Sequence, residues 1–515
     1  MSFFKPLLCL ISAFIITAAA GFAAFAAESD LDTSYTPSVT IASGGLTIFS
    51  VVAQTDGKSV IGGTFTSVNG QPRTRIARLN ADGTLDGTFS STLAPNGTIF
   101  DMKIQSDGKI IAVGNFTTVN GTAHLRIVRI NTDGTVDATF NSAVGADNQV
   151  LCIALQSDGK ILIGGDFLNF GATAQKYIAR LNTDGTLDTT FVPANIVPAT
   201  ASGVVYVIAP LPDGTIYFGG GFSSVGGSAR NFIARLTATG ANDAAFNPGT
   251  GPNSFINSIL PLPSGQVMVG GSFNAWGAAN RLGVVRLSST GTLDGTFNAN
   301  LLNGSANVYN ILPQAGGKFL LAGSLTALSS NGAGSGFRRG IIRVDATGAA
   351  DAAFNVNVGT NGTINSTAIQ PDGKILVGGQ YLSYNGIAQA PYARLNGAPA
   401  TAAGVTVSGR VSVYGGRGLS GAYVSIRDQQ GNERLAMTGT RGMFRFDDVE
   451  SGPIYVIAVR SRRFQFEPKI VSVTDDLANV DFVWSASSEK DERIKTRETI
   501  ARPASDSKIV LIKPR

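Results

Sequence analysis

A repeat of a little over fifty residues organises most of this chain. It is plainest at the turns 56-DGK, 107-DGK, 158-DGK, 213-DGT, 264-SGQ, 316-GGK and 372-DGK, whose glycines are Gly57, Gly108, Gly159, Gly214, Gly265, Gly317 and Gly373, at spacings of 51, 51, 55, 51, 52 and 56. A period of that length marks stacked supersecondary units, none of which buries its apolar face alone. Each unit reads as an apolar strand ending near Gln54, Gln105 or Gln156, the Asp-Gly turn, and a strand such as 161-ILIGGDF. A variable loop follows, then a strand such as 178-IARLN, a second turn 183-TDG, and a short strand 186-TLDTTF. Four short strands joined by hairpin turns make one propeller blade. The expected fold is therefore all-β, a seven-bladed β-propeller over residues 28–397. Composition agrees: 63 glycines in 515 residues and 15% charged side chains depart from the usual ~7% and ~25% in the direction of tight turns and short strands.

The seventh unit stops early, because after 393-ARLN the chain runs into Gly397-Ala398-Pro399 with no Leu-Asp-x-x-Phe strand. The missing piece is at the other end. Residues 30-DLDTSYTP align with 186-TLDTTFVP, placing Leu31, Asp32, Tyr35 and Pro37 on Leu187, Asp188, Phe191 and Pro193. The N-terminal strand at 30–37 is thus expected to complete the last blade and close the ring without an exposed edge. A second regularity points the same way. Arg78, Arg129, Arg180, Arg235, Arg286 and Arg343 precede Asp86, Asp137, Asp188, Asp243, Asp294 and Asp351 by eight residues, and Arg394 lacks such a partner until closure supplies Asp32. In a hairpin with a three-residue loop ending in left-handed glycine, residues eight apart sit opposite each other, so these are read as seven structural ion pairs. The alternative is a calcium loop of the kind Asn131, Asp133 and Asp137 suggest. Such loops bring more oxygens and no arginine at this spacing, so the expected cofactor is none, with calcium as the competing reading.

These units resemble the delta-60 repeat, a bacterial β-propeller family with the pattern DGKILVGGxF, VNG and RIARLNxDGxLDxxF. The resemblance covers roughly residues 28–396 and is densest in the first three units. Ser264 and Gly316 replace the turn aspartate in units five and six, and unit six carries the insert 328-LSSNGAGSGFRRG. The resemblance implies the fold and no one activity, since propellers host both enzymes and binding platforms.

Ahead of the repeats, Lys5 precedes an uncharged apolar run, Leu7 to Ala27, ending in small residues at Ala24 and Ala26. This reads as a signal peptide, 1–26, with an uncleaved anchor as the alternative. Cys9 lies too early and follows Leu8, so it does not fit a lipoprotein acylation site. Export makes the expected location secreted, extracellular or cell-surface, with the periplasm as another compartment, and no membrane span remains once the leader is removed. Cys152 is then the sole thiol, which excludes an internal disulfide. It occupies the repeat position of Ser50 and Asp101 and reads as a tolerated small residue. His124 is the only histidine, so zinc ligation by a His and Cys cluster has no residues to draw on.

From Thr406 the period vanishes and alternating strands follow: 407-VSGRVSV, 422-AYVSIRD, 442-GMFRFDDV, 454-IYVIAVR, 470-IVSV and 480-VDFVW. After a linker at 398–405, residues 406–486 are expected to form a small β-sandwich. The run 408-SGRVSV, 419-LSGAYVSIRD, 438-TGTRGMFRFDDV and 454-IYVIAV resembles the carboxypeptidase regulatory-like domain, a transthyretin-like accessory module without peptidase chemistry of its own. Met443 and Phe444 stand where an aromatic pair is usual. Residues 487–515, with eight basic and five acidic side chains, read as a disordered basic tail. It is either simply solvated or an electrostatic tether to an anionic envelope surface, to which Arg460, Arg462 and Arg463 would add.

Residues 28–404 carry 21 basic and 21 acidic side chains. A neutral propeller argues against nucleic acid as partner, because phosphate contacts need a basic surface. Glutamate is absent from 29–432, which disfavours a glycosidase with the usual Glu-containing pair. Asp101, Asp147 and Asp166 are the aspartates the repeat does not explain. Strand order puts the Asp-Gly turns on one face and the variable loops on the other, and ligands should meet the latter. Five residues before each repeat arginine stand Arg73, His124, Gln175, Arg230, Arg281, Arg338 and Gln389. They form either a rim of donors for carboxylate or sulfate groups or a set of caps on loop carbonyls. Phe170, Trp276 and Tyr384 suggest stacking on sugars, but they align with Val68, Val119, Val225 and Leu328, an apolar position that favours packing.

The sequence reading is a secreted, non-enzymatic, monomeric scaffold that binds a protein or polysaccharide partner. Arg73, His124, Arg230, Trp276, Arg281 and Arg338 are its candidate contacts. The alternative is an extracellular hydrolase acting on polysaccharide or peptide through Asp166 or Asp147 with His124.

Overall fold

The computed structural model describes residues 29–484 except 142, 200–203, 300, 302–305, 329–336, 352, 355–358, 390, 398–404, 414–415, 428–432, 450–453, 462, 474–476 and 479. The expected leader, nearly all of the linker, the tail and Arg462 lie outside the described residues. Among the described residues no helix is long and apolar enough to cross a membrane.

Among the described residues, the longer strands of residues 48–395 form seven antiparallel three-stranded sheets that follow one another along the chain. The third is representative: Val150–Leu155 pairs Ile161–Gly165, which pairs Ile178–Leu181. A bridge from Leu181 to Leu187 adds the start of a fourth strand, as do Leu79 to Leu85 and Ile130 to Val136. The strands are short because turn residues punctuate them. The Asp-Gly turns hold glycine at positive φ, 82° at Gly159 and 85° at Gly185, a region closed to most side chains. Second strands of the first five sheets are buried from end to end, as in the third sheet's Ile161–Gly165, because a neighbouring sheet covers each face.

First strands contact one another in cyclic order. Ile48–Ala53 touches Ile99–Ile104, contacts pass in turn through Val150–Leu155, Val205–Pro210, Ile256–Pro261, Asn307–Gln314 and Thr363–Ile369, and the last touches Ile48–Ala53 again. This is a β-propeller. Glycine makes the close face-to-face packing possible: a Cβ on Gly62 would lie 2.7 Å from Ile99 Cγ2 of the next sheet. Side chains of the first strands also satisfy the free edge of the strand that follows. Ser50 Oγ accepts from Met102 N at 3.1 Å, Asp101 Oδ2 from Ile153 N at 3.1 Å, and Ser366 Oγ from Val51 N at 3.0 Å.

The N-terminal residues lie against the last sheet. Leu31 bridges Leu395, Ser29 N donates to Asn396 O at 2.8 Å and Asp32 N to Arg394 O at 2.8 Å. Tyr35, Val39, Ile48 and Ile61 share one apolar cluster with Leu376 and Tyr392, so the first and last sheets are packed together.

Beyond residue 404 the strands form two further sheets. In one, Val405–Val413 lies between Arg417–Gly418 and Met443–Val449 and pairs in parallel with Phe482–Val483. The other has the order Glu433–Met437, Tyr423–Arg427, Ile454–Arg460, Lys469–Ser472. Val411 and Phe446 from the first share an apolar cluster with Val424 and Ile457 from the second.

Candidate functional site

At the Asp-Gly end, arginine and aspartate meet across the outer hairpin of every sheet. Nε of Arg78, Arg129, Arg180, Arg235, Arg286 and Arg343 lies 2.7, 2.8, 2.7, 2.6, 2.7 and 2.7 Å from Oδ2 of Asp86, Asp137, Asp188, Asp243, Asp294 and Asp351. Arg394 Nη2 reaches Asp32 Oδ2 at 2.8 Å. Each guanidinium lies over the aromatic ring three residues beyond its aspartate, 4.7 Å from the centroid at Phe89 and 4.2 Å at Tyr35, where a cation is attracted to the π face. Nη1 then crosses to the next sheet: Arg129 donates to Thr183 O at 2.6 Å, Arg180 to Ala238 O at 2.7 Å, and Arg394 to Ala81 O of the first sheet. One side chain therefore closes its own hairpin and fastens it to its neighbour.

A partner that sequence reasoning missed completes the arrangement. The turn lysine donates to the same Oδ2, Lys58 to Asp86 at 2.9 Å, Lys109 to Asp137 at 2.8 Å, Lys160 to Asp188 at 2.8 Å and Lys374 to Asp32 at 3.0 Å. Gln266 substitutes in the fifth sheet, 2.9 Å from Asp294. In the fourth, where Thr215 fills the lysine position, Arg235 instead donates to Tyr217 Oη at 3.0 Å. The signal was available in sequence as a lysine 28 residues before the acid in the first three units.

These acids titrate far from their ordinary range. Burial alone would raise Asp86, Asp137, Asp188 and Asp32, but hydrogen bonds from Thr or Ser, Lys and Arg outweigh it and hold all four well below the usual carboxylate value. Thr296 and Arg286 bring Asp294 down to about 2 against its burial. A depressed folded-state pKa gives stability that is complete above the unfolded value of about 3.9 and is lost as pH falls through the folded values. Melting temperature should accordingly be flat from pH 7 to about 5 and fall continuously below about 4. Thermal melts between pH 2 and 7 check this, and an unchanged transition at pH 2 would show that the pairs contribute nothing.

The Asn131–Asp137 segment, weighed above as a calcium loop, commits its oxygens internally. Asp133 Oδ1 accepts from Thr135 N at 2.9 Å and from its hydroxyl at 2.7 Å, while Asp137 Oδ1 accepts from Thr139 N at 2.9 Å. Among the described residues no three His, Cys, Asp or Glu side chains cluster as metal ligands.

At the opposite end the variable loops are small hairpins. Ser67–Val68 pairs Gln71–Pro72, Thr118–Val119 pairs Thr122–Ala123, and the blade connections add to them, as with Val39–Thr40 on Ser67–Val68. Their buried anchors are Val68, Val119, Phe170, Val225, Trp276 and Tyr384. Trp276 is thus corrected as a contact candidate. It is 4% exposed, with its ring edge-on to Phe273 at 5.6 Å, and it has no face to offer a ligand.

The rim residues largely cap backbone. Arg73, Arg230 and Arg281 each donate Nη1 to the carbonyl of the preceding residue, at 2.7, 2.8 and 2.9 Å. Gln175 and Gln389 donate to Ile178 O at 3.2 Å and Tyr392 O at 3.1 Å. Arg230 is buried, Arg73, His124 and Arg281 are half-buried, and burial lowers the His124 pKa. Arg338 pairs Ala327 in its strand, and its side chain lies outside the described residues.

Of the three aspartates outside the repeat pattern, Asp101 bridges two sheets as described and meets Lys103 at 2.9 Å. Asp147 accepts from Leu168 N at 2.9 Å and Asn169 Nδ2 at 2.7 Å. That is the loop-bracing duty of Asn96, Asn253 and Asn361 in other units, a repeat position the sequence comparison overlooked. Asp166 has no such duty. Cys152 is fully buried, with its thiol pKa pushed up by burial and then by Asp101.

A family profile described as "Domain of unknown function (DUF5122) beta-propeller" matches residues 54–89, 105–140, 156–191, 211–246, 262–297 and 370–396. These six segments are similar to DUF5122 beta-propeller repeats. Each of the first five DUF5122 segments runs from the end of a first strand through the Arg, Asp and Phe of the lattice, whereas the last stops at Asn396, where residues 29–32 take over the pairing. The sixth sheet, with its insert and Gly316, lies outside the matched DUF5122 segments. No curated protein matches the chain. Similar solved structures include the extracellular domain of the putative one component system BT4673 from B. thetaiotaomicron, at 11% identity, 87% of this chain, 58% of that chain and a TM-score of 0.38. PorZ, a surface component of the type-IX secretion system of Porphyromonas gingivalis, matches at 14% identity, 85% and 67% coverage and 0.31. YCF48 from Cyanidioschyzon merolae matches at 14%, 70% and 98% coverage and 0.36. The chain thus spans 58% of the length of the BT4673 domain.

Proposed function

We propose that this chain is an exported interaction scaffold, a seven-bladed propeller with a C-terminal transthyretin-like sandwich, holding a protein or polysaccharide partner at its variable-loop face. The observation that carries the reading is the division of labour between the two ends. At the Asp-Gly end the charged side chains are committed to the same bonds in sheet after sheet, whereas at the loop end the exposed residues differ from unit to unit on rigid hairpins. Rigid scaffold with variable loops is how recognition surfaces are built. Arg73, His124, Arg281 and Arg338 are the proposed rim contacts, with Arg230 more deeply set. Binding is favoured over hydrolysis because Asp147, one of the two acids the hydrolase reading would use, gives a carboxylate oxygen to a backbone amide of its surroundings.

The test is the melting temperature of the purified chain against neutral and acidic polysaccharides, at low and high salt, with calcium and chelator controls. The expected result is a salt-sensitive rise with acidic polymers that Arg73→Ala and Arg281→Ala abolish. Silence across the panel removes polysaccharide as the partner, release of reducing ends or peptide fragments replaces the scaffold with the hydrolase, and a rise with calcium alone overturns the structural reading of the Arg and Asp lattice.

A further inference from the structure

In the first two sheets the residue after the last glycine of the second strand has a backbone task. In the first sheet Thr64 Oγ1 accepts from Thr47 N at 2.9 Å, and in the second Asn115 Oδ1 accepts from Thr98 N at 2.7 Å. The third sheet has Asp166 there, yet the corresponding amide, Gln149 N, donates to Asn148 Oδ1 at 2.8 Å. Asp166 is relieved of the task. Its carboxylate meets only Asn148 Nδ2, at 3.5 Å, and forms no ion pair among the described residues. The aspartates of the outer hairpins, by contrast, each hold an arginine.

Tyrosine side chains border this half-buried acid, and further rings pack against one of them. Gly165 N donates to Tyr177 O at 2.9 Å and Tyr177 N to Phe167 O at 2.8 Å, which sets Tyr177 directly across from Asp166. Tyr177 has φ of +67°, an uncommon conformation for a bulky side chain. Gly283 and Gly340 hold the same place in later units, at +67° and +81°, so the backbone there does not require an aromatic. From the next sheet comes Tyr206, the extra residue between Val205 and Val207 where the register shifts; a bulge of this kind re-aims a side chain. Phe255 lies edge-on to Tyr206 at 5.9 Å and to Phe232 at 5.7 Å, and all of these rings are partly exposed. Burial, and then the charge of Asp166, raises the hydroxyl pKa of both Tyr177 and Tyr206, so both stay neutral beside the acid.

We infer that Asp166, flanked by Tyr177 and Tyr206, is a recognition site for an organic cation, a guanidinium or ammonium group. A partly desolvated carboxylate without a counter-charge is costly, and a cation seated on it gains a charge-assisted hydrogen bond together with attraction to the ring faces. A neutral sugar would stack on the rings and leave the charge uncompensated. One carboxylate and two protonated phenols also fall short of the six to eight oxygens a calcium ion takes. The site deepens the scaffold reading and rests on it for a partner at the loop face. The cation comes either from a lysine or arginine side chain of a protein or from a free small amine or guanidine.

The full chain is titrated with Nα-acetyl-arginine amide, with Nα-acetyl-glutamine amide as neutral control, following tyrosine emission and heat. Saturable binding of the arginine probe is expected, weakened about tenfold by Asp166→Asn. It should also weaken with salt and on Tyr206→Ala. Asp166→Asn keeps the shape and should melt like the wild type, so its loss of binding is not a loss of folding. No saturable signal from the wild type up to about 50 mM probe, or equal binding by Asp166→Asn, overturns the site. A Gly/Ser peptide with one central arginine that binds more tightly than the free probe identifies a protein segment as source, and equal affinity identifies a small cation. A silent arginine titration beside a positive polysaccharide panel removes this site alone, and the reverse removes the polysaccharide partner alone.

Discussion

Deleting residues 30–37 lowers the melting temperature by about 5–10 °C and makes the chain associate. The deletion takes Asp32 from Arg394 and Lys374, whose side chains are 6% and 33% exposed. Removing one partner of a buried pair costs about 3–5 kcal/mol, because a desolvated charge is left behind. It also removes Tyr35 from the cluster that joins the first and last sheets, where it packs edge-on to Tyr392 at 5.9 Å. The main-chain partners of Arg394 and Asn396 go with it, leaving an open edge that pairs readily with another chain. Calorimetry and sedimentation measure the two effects. Asp32→Asn, which keeps the strand and removes the charge, separates the ion pair from the strand. A deletion that melts and sediments like the full chain would show that these residues close nothing.

Substitution of the glycine that ends a second strand should be nearly as damaging. A Cβ on Gly114 would run into the carbonyl oxygen of Thr98, and the same collision awaits Gly165 with Gln149, Gly220 with Val204 and Gly271 with Phe255. The carbonyl cannot retreat, because it accepts the amide of the residue after that glycine, Asn115 N to Thr98 O at 3.1 Å. It is also held where the register shifts between Ile99 and Asp101. Overpacking costs about 1–3 kcal/mol where side chains can shift, and more against fixed backbone. Gly114→Ala is therefore expected to lose about 3 kcal/mol or more. Gly87→Ala, where a Cβ meets nothing within 4 Å, should stay within about 0.5 kcal/mol of the wild type. Denaturant titrations of the two variants make the comparison, and equal midpoints would dispose of the close approach.

Much of the lattice was legible because a repeat shows its own invariants. Seven arginines, six of them followed by an acid at a fixed offset, announce a paired position without any coordinates, and the truncated last unit announces that a strand must come from elsewhere. The lysine on the same carboxylate was less visible, since it lies one hairpin away and two of the seven units replace it. Trp276 shows how a single conspicuous residue misleads. Its alignment with Val68 and Val119 already pointed to a buried anchor, and burial follows from the position rather than from the side chain.

Periodicity, turn chemistry and charge spacing are local properties, and the sequence by itself determined everything that depends on them: an all-β chain of repeated short-stranded sheets, glycine at the turns, and an arginine and an aspartate facing each other across a hairpin. What only the tertiary structure decided are the contacts between sheets. Arg180 reaches Ala238 O, Ile99 enters the space left by Gly62, and Val205 of one sheet packs over Gly164 of another. Such pairs lie tens of residues apart with no fixed offset, because loop lengths vary between units. Their meeting is set by how twisted sheets pack around a common centre, a property of the closed ring that no single repeat contains.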